Sequence, residues 1–299
     1  MCIHVNIDNK LIKHSSTSSD LTAPDLPAGF ATNFVWDDKT LMNPIQVYVN
    51  AIKLMTLWAV LPWESYIRTR QRMTHPRFTT EIETSPWTAG LTSELQIKHA
   101  VSGLYQAGVA IAGGNKFHRV AVGLIERSQI IGQILFQPTS TAANDVVDLV
   151  ESNFSSTAAL SADAGSAIDP LDPNFKLLYE FDGVLISSVE AFTAVLDGLA
   201  TAAEHEKDAV GAFVNAYSVD YKCTINIHGT IGHQLNWYHV IRALFLVWLA
   251  VYKRAIAQRP SRFEGMDFTL EYDGVKIGEG DLWKFTKLSN GTDSTAISK

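Results

Sequence analysis

Cysteine is nearly missing from this chain, with only Cys2 and Cys223 in 299 residues. Two thiols cannot build a disulfide framework, and their scarcity points to a reducing compartment. Charge is sparse as well. Charged residues make up 18% of the chain, below the usual quarter, and the formal net charge is −7. An acidic balance of that size argues against general binding to nucleic acid or to anionic membranes. Long hydrophobic runs are also lacking. The most apolar stretch, 243–252, lies between Arg242 and Lys253. It is about half of what a bilayer crossing needs and reads as a buried core helix. The opening residues, MCIHVNIDNK, lack a basic region followed by an apolar core, so no secretory leader is expected. The glycosylation-type triplets at Asn153 and Asn290 then count as chance. These shortages together describe a soluble cytoplasmic protein.

Apolar side chains are plentiful. They make up 46% of the chain and include 7 Trp, 9 Tyr and 14 Phe. Such a sequence either fills a large core or keeps apolar surface for a partner, and homo-oligomerisation is the commonest outcome of that surface.

Local signals alternate between strands and helices. The phrase FKLLYEFDGVLISSVEAF over 175–192 holds a strand pattern, Asp182-Gly183, a short apolar return and a helix opening at Ser187. Asp-Gly tolerates the positive φ angles of a two-residue hairpin turn. Similar turns are expected at His228-Gly229 and Asp273-Gly274, at intervals of 46 and 45 residues, and a looser one at Asp8-Asn9 within a hairpin over 3–12. Ser187 with Glu190 fits a capping box, and Asn43 followed by Pro44 marks another helix start. That helix is expected to end or kink at Pro62, with a second piece over 63–72. Further helices are expected over 92–112 and 233–257, and strands over 34–36, 78–84, 117–136 (two runs parted near residues 126–128), 221–227 and 266–272. The stretch GVAIAGGN over 108–115 has no Lys-Ser or Lys-Thr after its glycines and reads as the end of a helix.

The fold class expected is α+β: a mixed or antiparallel sheet of turn-linked strands packed by long apolar helices. An Ala/Ser/Thr-rich connector over 138–174, with one short helix over 144–152, divides residues 1–137 from 175–299. The segment Tyr66 to Phe78 echoes Tyr252 to Phe263 in its basic residues. With the recurring turns, this suggests an internal duplication into two related halves.

Two groups of side chains are candidates for a site. His228, His233 and His239 are the densest reactive cluster, and one of them is suited to act as a general base near neutral pH. Turn chemistry alone fully accounts for a polar residue at 228. Their spacing fits no common metal motif, so no metal is expected. The second group is basic: Arg68, Arg70, Arg72 and Arg77 in one segment, and Arg254, Arg259 and Arg262 in the other. If the segments converge, they suit an anionic ligand, although cations also favour helix C-termini for the dipole alone. Trp87, after Ser85-Pro86, is the aromatic candidate for ligand contact. Cys223 reads as a small core hydrophobe. No cofactor is implied. The function expected is binding or self-association, without a catalytic constellation. The alternative is a small-molecule enzyme using a histidine and an anion-holding arginine, with a small apolar or anionic ligand.

Overall fold

The computed structural model describes residues 26–74, 79–86, 94–139, 147–148, 163–233, 235–258 and 262–285. The first part of the chain forms β1 (Phe30–Leu41), α1 (Pro44–Ala59), β2 (Gln71–Met73), β3 (Thr80–Pro86), α2 (Ile97–Gly113), β4 (His118–Glu126), β5 (Gln129–Pro138) and β6 (Val147–Asp148). The second forms β7 (Ala164–Ile168), β8 (Phe175–Ile186), α3 (Ser188–Ala203), β9 (Phe213–Tyr217), β10 (Cys223–Gly229), α4 (Trp237–Ala257), β11 (Phe263–Tyr272) and β12 (Val275–Lys284).

The fold is α+β, with two sheets. Sheet 1 has the order β1-β4-β5-β3-β2-β6, antiparallel except for the two-residue β6, which runs parallel to β2. Sheet 2 has the order β7-β8-β11-β12-β10-β9 and is antiparallel throughout. Helices α1 and α2 pack on sheet 1, α3 and α4 pack on sheet 2, and the two helix pairs pack on each other. The layers therefore run sheet, helices, helices, sheet, and the core lies between the sheets. This explains why α4 is apolar all round: Val240 to Trp248 are buried without interruption. At the centre, Tyr48 of α1 stacks on Phe192 of α3 at 4.3 Å and meets Trp248 of α4 edge-on at 6.3 Å.

Helix starts follow the sequence. Asn43 accepts from the Ile45 and Gln46 amides, Ser187 and Glu190 close a reciprocal capping box, and Asn236 accepts from the His239 amide. Helix α1 ends before Pro62, but 63–72 does not resume a helix. It turns at Pro62 to Ser65 and then leads into β2, where Gln71 and Arg72 pair with Thr84 and Glu83 of β3. Of the helix expected over 144–152, residues 147–148 are strand and the rest lie outside the described residues. So do the hairpin over 3–12 and its Asp8-Asn9 turn.

The three expected turns divide. Asp273-Gly274 is a hairpin turn joining β11 to β12, with φ of 50° and 76°. Asp182-Gly183 is not a hairpin. Only Gly183 has positive φ, at 74°, and β8 continues through it, pairing with β11 on both sides of a register shift. Asp182 Oδ1 accepts from the Val184 amide at 2.8 Å, which makes the site a bulge. His228-Gly229 closes β10, and the chain then turns through 230–233 towards α4 rather than folding back as a strand.

The two sheets match in detail. Leaving out β6 and β7, both have the order of first, fourth, fifth, third and second strand. Asp37 in β1 and Asp182 in β8 each sit at a register shift and accept from the amide two residues on. The β4·β5 hairpin shifts register between Leu124 and Ile125, and the β11·β12 hairpin between Leu270 and Glu271. Opposite those breaks stand Gly132 and Gly278. A Cβ on Gly132 would lie 2.9 Å from Leu95, and one on Gly278 would lie 2.9 Å from the His228 carbonyl. His99 of α2 stacks on Phe30 at 5.7 Å, and His239 of α4 stacks on Phe175 at 5.3 Å.

Candidate functional site

Because the helices fill the interior, one whole face of each sheet points outward. On sheet 2 that face is concave, an open groove of about 560 Å³ crossing β7, β8, β11, β12 and β10. Strand alternation decides what lines it. Leu177, Phe268, Leu270 and Leu282 turn inward and are buried, so their neighbours in sequence turn out. Register then places Asn226, Asp281, Asp267 and Glu180 in one row across four strands. A second row holds His228, Glu279, Thr269 and Leu178. Neighbouring strands are about 4.8 Å apart, so three carboxylates stand side by side.

Partners are unevenly shared along these rows. Asn226 Nδ2 donates to Asp281 Oδ1 at 2.8 Å. Burial first, and then the Asp267 charge beside it, raise the Asp281 carboxyl above its ordinary value, against the pull of that hydrogen bond. Glu279 is held low by its hydrogen bonds to Lys276 and then to His228, whose Nε2 lies 3.1 Å away. Gly280 lets the strands close up: a Cβ there would come within 2.1 Å of the Asn226 carbonyl oxygen.

The three candidate histidines do not line one cavity. His228 faces the groove and pairs with Glu279. His233 is exposed in the turn after β10. His239 is half-buried in the first turn of α4 against Phe175 and Tyr272, and burial lowers its pKa.

Among the described residues the arginines do not gather in one place, and acid reaches them more closely than the sequence indicated. Arg70 donates to Glu83, and buried Arg72 lies 3.4 Å from Glu81 and 3.7 Å from Glu83. Arg254 pairs with Glu264 at 3.2 Å and with Asp163 at 2.8 Å. Arg68 and Arg262 are exposed. Arg77, Arg259 and Trp87 lie outside the described residues. Cys223 is a free, buried thiol whose pKa burial pushes up to about 12, consistent with a packing role.

Sequence reasoning passed over the groove carboxylates and Arg242, which makes a two-pronged buried ion pair with Asp169. The alternation of polar residues at 267 and 269 and at 279 and 281 carried a signal for the groove, but no local signal shows that these pairs stand opposite one another. Among the described residues no group of His, Cys, Asp and Glu has metal-holding geometry, and no helix is long and apolar enough to cross a membrane. Models of known protein families give no match to the chain, and neither do curated proteins.

Proposed function

We propose that the chain is a soluble, cytoplasmic protein that works by binding and self-association, and that the sheet 2 groove receives a positively charged partner. The carrying observation is the row Asp281, Asp267 and Glu180. Like charges directly opposite on neighbouring strands destabilise a sheet. A cationic segment laid across the row relieves that repulsion, so the same feature that costs the free chain stability favours the complex. An anionic ligand fits the groove poorly, and Arg70, Arg72 and Arg254, which were candidates to hold one, are engaged by carboxylates.

Calorimetric titration with a short lysine-rich peptide tests the reading. Binding is expected to weaken with added salt. The double substitution Asp267→Asn with Asp281→Asn should lower affinity by about tenfold or more, roughly 1.4 kcal/mol. Equal binding by wild type and variant would remove the groove from the proposal.

We also propose that the two halves descend from one duplicated unit. The shared strand order, the paired bulges, the glycines opposite the hairpin breaks and the two His–Phe stacks support this reading. The matching positions lie about 145 residues apart along the chain. The 45-residue interval of the turn phrases and the Tyr66/Tyr252 echo do not mark equivalent places in this scheme.

A further inference from the structure

The equivalent edges of the two sheets are finished differently. In sheet 2 the outer side of β8 is covered by β7, paired from Ala164↔Glu180 to Ile168↔Lys176. Two ion pairs pin the ends of β7. Asp163 binds Arg254 at 2.8 Å, and buried Asp169 binds buried Arg242, both arginines coming from α4. In sheet 1 the corresponding strand β1 pairs only with β4 among the described residues.

The positions of the first half that correspond to those anchors carry no charge. Counted from the shared helix starts at Gln96 and Asn236, Arg242 and Arg254 correspond to Ser102 and Gly114. Counted back from Phe30 and Phe175, Asp163 and Asp169 correspond to Ser18 and Pro24. A strand supplied from upstream in the same chain would lack the equivalents of these two ion pairs.

The open edge is itself suited to a strand. Residues 30–36, Phe-Ala-Thr-Asn-Phe-Val-Trp, carry no charge and no proline. Phe30, Phe34 and Trp36 turn toward the core, while Ala31, Asn33 and Val35 are exposed on the outer face. The regular stretch is bounded at one end by the turn at Pro27 to Phe30 and at the other by the register shift after Asp37. A long, uncharged edge is a template for another strand.

We propose that this edge is the interface of a homodimer, with β1 of one copy pairing antiparallel to β1 of a second copy and the two sheets 1 joined into one. The inference rests on the self-association reading above and gives it a surface. The midpoint of the regular stretch is Asn33, so the twofold axis passes beside it. Ala31 of one copy then faces Val35 of the other on the same side of the sheet, and no like charges meet.

Light scattering after size exclusion, at tens of micromolar full-length chain, tests the dimer. Wild type is expected at twice the chain mass. Asn33→Lys and Asn33→Asp each bring like charges together at the axis and should weaken association by about tenfold or more. Each should run as a monomer with an unchanged far-ultraviolet spectrum, and an equimolar mixture of the two should recover the dimer. A dimer that persists in both variants overturns this interface but leaves self-association standing, whereas a wild-type monomer overturns both. A chain that dimerises only after removal of residues 1–25 assigns the edge to its own upstream segment and also overturns the inference.

Discussion

Asp197 lies in the middle of α3 with its carboxylate buried between two neighbours. It accepts the Tyr217 amide at 3.0 Å and a hydrogen bond from the Tyr105 hydroxyl, so it ties α3 to β9 and α2. Burial raises its pKa from 3.8 to about 6. Between those values the folded chain holds a proton that the unfolded chain releases. The stability from that proton is full below about pH 4 and is lost as pH rises through about 6. Asp197→Asn keeps an acceptor for both neighbours and does not titrate. In urea unfolding its advantage over wild type should grow by about 2–3 kcal/mol from about pH 4 to pH 7, and a constant difference would contradict the assignment. At this scale the sequence revealed what depends on neighbours a few residues away, as at Asn43-Pro44 and Ser187/Glu190. It did not reveal pairings such as Arg242 with Asp169, because partners 73 residues apart leave no local trace. The Asp-Gly dipeptide is a sharper case. It permits positive φ wherever it stands, and whether that becomes a hairpin or a bulge depends on which strand lies alongside.

Elements are held by such distant pairs as much as by their own propensities. Strand β7 has the sequence AGSAI, with little side chain to bury, and Gly165 stands where a Cβ would strike the Tyr179 ring. Its hold on β8 therefore depends on the ion pairs at its ends. Asp169→Ala leaves the Arg242 guanidinium buried without its acid and should cost about 3–5 kcal/mol. Hydrogen exchange should quicken first at residues 164–168. Replacing Arg242 by Met in the same chain should recover part of the loss, and exchange confined to other strands would argue against the anchoring role. Strands β2, β7 and β9 were missed in the sequence for a related reason, β7 lying inside the stretch expected to be a connector. Short or charge-bearing runs such as QRM over 71–73 lack alternation, and only pairing with β3 makes them strands. The groove carboxylates were legible as an outward-facing period of two, but not as a row.

The whole molecule depends on contact between the helix pairs. Tyr48 belongs to the first half, yet its ring packs against Phe192 and Trp248 of the second, and its hydroxyl is hydrogen-bonded to Ser188. Tyr48→Ala should cost about 3–5 kcal/mol. The loss should raise hydrogen exchange in both sheets together, whereas Tyr48→Phe should retain most of the stability. A rise limited to sheet 1 would show that the halves are energetically separate. The α+β class and the buried character of α4 could be read from composition and periodicity. The division of the strands between two sheets could not, since it is set by pairings that span the chain. The layer order also decides where this protein can change. In a sheet flanked by outer helices, drift accumulates on the solvent side of those helices. Here α1 to α4 have few solvent-facing positions. Among the described elements, neutral divergence is therefore expected to fall on every second strand residue more than on the helices.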